Sequence, residues 1–294
     1  MLEVSLRSSR SGTHALTLPE GAVLSEVTVD GVRLAARQDG RKVVIPVGSG
    51  AHTARLTWGQ PETLPFFARA PQVNLGTAGV NADTELRVPE DRIVVAMGGS
   101  RLGPSAQLWA IYALLCLVAL ALGRVKSTPL RAGHWLVLFT GGLMLPWHVF
   151  LSLTAALLLL GWRAGRPDLA TPEGFNLRQA GIAAACGTAL VLLAVSVAVD
   201  LQGRPDFLIA GNGSFANHLR WTEDRTPGLM PQPWILSIPV WGWRAGMVAW
   251  LAWLVLSLVG WGQWGYKVLT AGGLWRKGPT EPDEPAKPTV GLQG

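Results

Sequence analysis

The sequence predicts an all-β sandwich domain followed by an α-helical transmembrane domain of four or five membrane helices, one segment being a short helical hairpin. Three observations predict this. Residues 1–103 alternate at period two between turn residues, the signature of half-buried strands. Residues 104–277 hold four long apolar runs nearly free of charge. The composition, 49% hydrophobic and only 15% charged with fourteen Trp against two Tyr, is that of a membrane protein with interfacial indoles.

In the first domain, short strands are expected at Leu2–Arg7, His14–Leu18, Val23–Val29, Val32–Ala36, Lys42–Val47 and His52–Trp58. Asp30-Gly31, between VTV and VRL, is a two-residue hairpin turn. The pattern loosens around Pro61, Pro65 and Pro71. It resumes at Gln72–Leu75, Glu85–Val88 and Arg92–Met97. Eight or nine strands at this spacing suit an antiparallel sandwich. No helical period is present. His14 and His52 stand alone, and no cluster has metal-ligand spacing, so neither a metal nor another cofactor is implied. Asn74, Asn81 and Asp83 sit among turn-forming residues.

Four apolar runs follow, at 104–123, 135–162, 180–201 and 240–264, with an outer loop at 202–239 and a Pro-rich disordered tail at 278–294. Cys116 and Cys186 fall inside these runs and are read as buried thiols. The run 135–162 is anomalous. As one straight helix its 28 residues would span about 42 Å, against a hydrocarbon core of about 30 Å. Gly141, Gly142 and Pro146 interrupt its middle.

Charge decides how it is threaded. The net charge is +6, yet residues 1–100 carry ten basic and ten acidic side chains, so the excess belongs to the helical part. A nucleic-acid surface is therefore a poor reading, and positive flanks of membrane helices are the better one. Arg124, Lys126 and Arg131 precede the run, Arg163, Arg166 and Arg178 follow it, and Lys267, Arg276 and Lys277 follow the last helix. If all three groups are cytoplasmic, both ends of 135–162 face the cytoplasm and the run is a hairpin. The β domain then lies outside. A single tilted span is the rival.

Polar residues in or beside the membrane are the candidates for chemistry. His148 adjoins the Pro146 break. Asp200 and Arg244, both near the outer surface, are candidates for a structural ion pair. Asn217, His218, Arg220, Glu223, Asp224 and Arg225 crowd nine residues of the outer loop, with His218 and Glu223 as acid–base candidates and the others as binding candidates. Trp250 and Trp253 are placed to face a lipid-like ligand or a neighbouring helix. Asn212-Gly213-Ser214 matches a glycosylation acceptor. No phosphate loop, metalloprotease motif or nucleophile elbow occurs.

Met1 opens almost directly into a strand, without a signal peptide ahead of it. A folded domain outside the cytoplasm needs an export signal. The expectation is that the chain is the C-terminal part of a longer polypeptide, or that its start is misassigned.

The order of segments carries a resemblance. A strand region ends in PEDRIVVAMGGSRLGPSAQLW. Then come LGRVKSTPL, the interrupted apolar run, GNGSFANHLRWTEDRTPG and a Trp-rich helix ending in AGGLWRKG. This resembles the C-terminal part of uncharacterised bacterial inner-membrane proteins, a group without an assigned activity. The resemblance implies helices in the bacterial inner membrane, and with the charge bias of the loops the expectation is a β domain in the periplasm and a tail in the cytoplasm. The leading functional expectation is a membrane-anchored interaction or scaffold module of the cell envelope. Its expected partners are the bilayer, other envelope proteins, or a missing N-terminal portion of the same polypeptide. The alternatives are transport or envelope-polymer (lipid or glycan) handling, and thirdly a membrane enzyme.

Overall fold

The computed structural model describes all residues except 62, 101, 167–170, 201, 202, 204, 206 and 277–294, and omits the side chains of Ala198 and Asp200. The chain divides into two compact units, Met1–Ile111 with Arg204–Ala245, and Tyr112–Gly203 with Gly246–Gly294.

The first unit holds every strand among the described residues. In chain order they are β1 Leu2–Ser8, β2 Gly12–Thr17, β3 Val23–Val29, β4 Val32–Leu34, β5 Gln38–Asp39, β6 Lys42–Val47, β7 Gly50–Gly59, β8 Phe67–Arg69, β9 Gly79–Arg87, β10 Arg92–Gly98, β11 Ser105–Ala106, β12 Ile209–Ala210, β13 His218–Thr226 and β14 Trp234–Pro239. Alternation determines which face each strand buries. In β6, Val43, Ile45 and Val47 are buried while Lys42, Val44 and Pro46 are exposed. Asp30 and Gly31 take φ of 50° and 80°, and Val29 faces Val32 across them, as a tight hairpin with two left-handed residues requires.

Two sheets, β1-β7-β3-β4 and β2-β6-β5, fill one core with Leu2, Leu16, Leu24, Ile45 and Leu56. A second core, built on Val88, Val94, Leu219, Trp221 and Ile235, lies between strands from distant parts of the chain. Here β13 pairs with β9, β14 lies between β10 and β8, and β12 pairs with β11. The stretch 202–239 was expected to be a loop. Instead it supplies three strands, and its inward residues Leu219, Trp221 and Ile235 are at most 1% exposed. Conversely, Gln72–Leu75 forms no strand. It joins the fold through single bridges from Asn74 to Thr17 and to Leu229. Asn74 Oδ1 accepts the Gly76 N–H, a local turn rather than a ligand-facing amide.

Five helices are described: α1 Leu108–Leu122, α2 Ala132–Gly142, α3 Trp147–Ala164, α4 Pro172–Asp200 and α5 Val240–Thr270. Three of them, α3, α4 and α5, are long and apolar enough to cross a membrane, whereas α1 is shorter. Helix α1 begins four residues later than Pro104, because Ser105 and Ala106 pair with β12 first. Trp109, in the first turn of α1, donates its indole N–H to the Val95 carbonyl at 2.6 Å. Helix α4 begins eight residues before Ala180. Thr171 accepts the Gly174 N–H and Pro172 opens the first turn, where its missing N–H costs nothing.

Within the second unit, successive helices run antiparallel. Tyr112 meets Thr140 at 3.0 Å, and Gly123 abuts Ala132, so α1 and α2 run in opposite directions. The interrupted run forms α2 and α3, with Leu143–Pro146 between them. The Phe139 and Phe150 rings meet at 4.8 Å near the turn, while Gly161 at the far end of α3 lies against Ser127 and Thr128, ahead of α2. The run is therefore a helical hairpin whose two ends return to the same place. Gly141 and Gly142 do not form the bend itself. They are buried in the last turn of α2, and a Cβ on Gly141 would lie 2.0 Å from the Trp250 indole.

Candidate functional site

The polar stretch on β13 resolves into a sheet face. His218 lies opposite Arg87, Arg220 opposite Glu85 and Thr222 opposite Asp83. Residues directly opposite share a face, so alternating charges are staggered along the two strands. Arg220 Nη2 donates to Asp83 Oδ2 at 2.7 Å, and this carboxylate raises the guanidinium pKa. His218 Nε2 lies 4.0 Å from Glu85 and its ring stacks on Phe215 at 5.4 Å. Asn217 sits in the tight turn in which Phe215 and His218 exchange backbone hydrogen bonds.

The expected acid–base couple is not assembled. His218 and Glu223 are five residues apart on one strand, hence on opposite faces and about 17 Å apart along it. Asp224 and Arg225 are exposed at the far end of β13. Arg225 lines a shallow depression of about 370 Å³ with Ala78, Gly79, Val80, Thr226 and Pro227, which offers little polar chemistry beyond the one guanidinium. The Asn212-Gly213-Ser214 motif is occupied by the fold. The Asn212 amide donates to the Leu102 carbonyl at 2.7 Å, and the buried Ser214 hydroxyl accepts the Arg220 N–H at 2.9 Å.

The candidates in the helical unit also separate. His148 is exposed in the first turn of α3, edge-on to Trp147. Trp250 donates its indole N–H to the Val137 carbonyl at 2.8 Å, and Trp253 meets Trp261 edge-on at 6.0 Å. Both indoles pack against the hairpin core formed by Trp135, Leu138 and Phe139. For the expected Asp200–Arg244 pair, the Asp200 side chain lies outside the described residues. Among the described residues no group of three His, Cys, Asp or Glu side chains is placed to hold a metal.

An exposed aromatic–cation patch, which the sequence reading passed over, lies on β8. Phe66 and Phe67 are 60% and 47% exposed. Phe67 stacks on Trp234 at 5.6 Å, and Trp234 in turn lies over Gly98, where a Cβ would come within 2.8 Å of its ring. The Arg69 guanidinium covers Phe67 at 5.5 Å, and Arg92 covers Phe66 at 5.6 Å. Arg92 is itself held by the Pro65 carbonyl at 2.6 Å and the Ser237 hydroxyl at 3.1 Å. The rings are thus exposed yet fixed in place, and they sit on the edge of the sheet β10-β14-β8. Two adjacent Phe in the Pro-rich run PETLPFFARAP were the available signal.

No family model matches the chain, and neither a curated protein nor a solved structure is similar to it.

Proposed function

We propose that the protein is a membrane-anchored interaction module of the bacterial cell envelope, with its β unit outside the cytoplasm and the β8 edge as the docking surface. The observation that carries this reading is the fixed Phe66–Phe67–Trp234 patch with its two guanidinia. Trp, Phe and Arg held rigidly before a partner arrives lose little entropy on binding, and these residue types dominate interface energetics. An edge strand also offers unpaired backbone groups to an extended segment. The partner fitted to it is another envelope protein presenting such a segment with apolar side chains.

Strand pairing supports a membrane arrangement. β12 pairs with β11 and β13 with β9, which favours placing these four strands on one side of the bilayer. The chain between β11 and β12 then crosses an even number of times. We assign crossings to α1 and α4 and a hairpin without net crossing to α2–α3, and α5 crosses last. At about 22 Å, α1 needs a locally thin bilayer or flanking residues to complete its span.

The test is site-specific photocrosslinking in native membranes. A probe at Phe67 is expected to give one discrete adduct that Phe66→Ala weakens, while a probe at Glu3 on β1 gives none. Equal labelling from both positions, or none from Phe67, would contradict the assignment.

A further inference from the structure

At one end of the helical unit the cations converge. Arg163 at the end of α3 and Arg276 beyond α5 both lie over the Phe175 ring of α4, at 4.9 and 4.2 Å. Arg163 donates to the Ala271 carbonyl at 3.0 Å, and Asn176 exchanges hydrogen bonds with the Arg276 backbone. These contacts fix the corner. Next to it is a second ring with two guanidinia. Arg166 and Arg178 lie over Trp162 at 5.6 and 5.8 Å. Trp162 is 40% exposed, and both arginines are exposed. Among the described residues neither arginine has a carboxylate within ion-pair distance, and Asp168 lies outside them.

The sequence of α3 orders this face by polarity. Leu151, Ala155, Leu159 and Trp162 of α3, and Arg166 just beyond its Gly165 cap, follow one another at spacings of three and four, and all are exposed. Along the helix and into the turn that follows it, the order passes from aliphatic to indole to guanidinium. That is the order of hydrocarbon, interface and headgroup across a bilayer. Two guanidinia held over one indole present forked donors at headgroup level, where phosphate oxygens lie. We propose that Trp162, Arg166 and Arg178 form a binding site for the phosphate of an anionic phospholipid, its chains lying along Leu159 and Leu151. A zwitterionic lipid carries the same phosphate with a cation beside it, so it is bound more weakly.

The proposal rests on the membrane reading, and the two are separable. If the full chain leaves the membrane with alkaline carbonate, the membrane reading fails. If it stays and shows no lipid preference, only the site fails. The measurement uses the full chain in phosphatidylcholine vesicles doped with brominated phosphatidylglycerol or brominated phosphatidylcholine. The Trp162 contribution to quenching is taken by difference from Trp162→Phe. Quenching is expected to favour the anionic lipid. R166Q/R178Q, which removes both forked donors, should lose most of that preference. R166K/R178K, which keeps the charge but not the forked, stacked guanidinium, should retain only part of it. R124Q/K126Q, the same charge change in the α1–α2 connection, should leave it unchanged. Equal loss in both glutamine pairs would replace a site by diffuse attraction and overturn the proposal. So would an unchanged preference in the lysine pair, or displacement of the lipid by inorganic phosphate.

Discussion

The two β cores are made of similar side chains and assembled differently. The first is filled mainly by β1 to β7, consecutive strands joined by short turns. The second draws β8 to β10 from one stretch and β13 and β14 from another more than a hundred residues later. The first could be outlined from alternation and turn residues alone. The second could not, because its pairing partners are separated by four helices and nothing local to HLRWTEDRT names β9 as its neighbour. Local pattern determines which face a residue buries. Long-range register determines what it meets.

The largest expected effect bears on that difference. Trp221 is 1% exposed in the second core, and Trp221→Ala should destabilise the protein by about 3–5 kcal/mol. Hydrogen exchange should rise in β9, β10 and β14 and stay unchanged in β1 to β7. A uniform rise would show that the two cores form one cooperative unit. Phe215, in the same return segment but 60% exposed, is the internal contrast. Phe215→Ala should shift stability by no more than about 0.5 kcal/mol in the same denaturation experiment.

Next in size is Gly141→Ala. Alanine favours helix by about 1 kcal/mol over glycine, but here its Cβ would lie 2.0 Å from a Trp250 carbon. Overpacking wins, with a net loss of about 1–3 kcal/mol expected from thermal unfolding in detergent. Gly133→Ala, with open space at the Cβ position, should gain stability instead. Equal behaviour of the two would remove the close approach of α5 to the hairpin.

The smallest effect lies in the first core's turn. His52 Nδ1 is 2.6 Å from Asp30 Oδ2, and Asp30 Oδ1 accepts the Thr53 N–H at 2.9 Å. The hydrogen bond raises the His52 pKa, and the same bond together with that from Thr53 lowers the Asp30 pKa. The histidine contribution is complete below its ordinary pKa of about 6.5 and disappears as pH rises through the raised value. The carboxylate contribution is complete above its ordinary value of about 3.9 and disappears as pH falls through the lowered one. Stability from this pair is greatest between the two ordinary values. Titration of the His52 ring by NMR should show a raised pKa that returns toward the ordinary value in Asp30→Asn. An unchanged titration would remove the pair from the account.

Much of the fold was legible. Strands β3 and β6 match their expected bounds, and the Asp30-Gly31 turn takes the backbone its residues prefer. The break in 135–162 was legible from its length and from Gly141, Gly142 and Pro146, while hairpin and single span both stayed open in the sequence. The candidate site was less so. Density of polar residues drew the reading to His218 and Glu223, yet a strand places residues five apart on opposite faces. The Phe66–Phe67 patch was hidden because Trp234, which braces it, comes from the return segment. Gly141 read as a helix breaker because sequence alone does not show the indole that needs its missing side chain.

The central proposal is that, β11 and β12 being paired, the chain between them crosses the membrane an even number of times. Side-specific cysteine labelling tests it most directly, in a chain with Cys116 and Cys186 replaced and single cysteines at Lys126, Thr171 or Asp224, all exposed. The account predicts that Lys126→Cys and Thr171→Cys react from one side of the membrane and Asp224→Cys from the other. Reaction of Lys126→Cys and Thr171→Cys from opposite sides would contradict it.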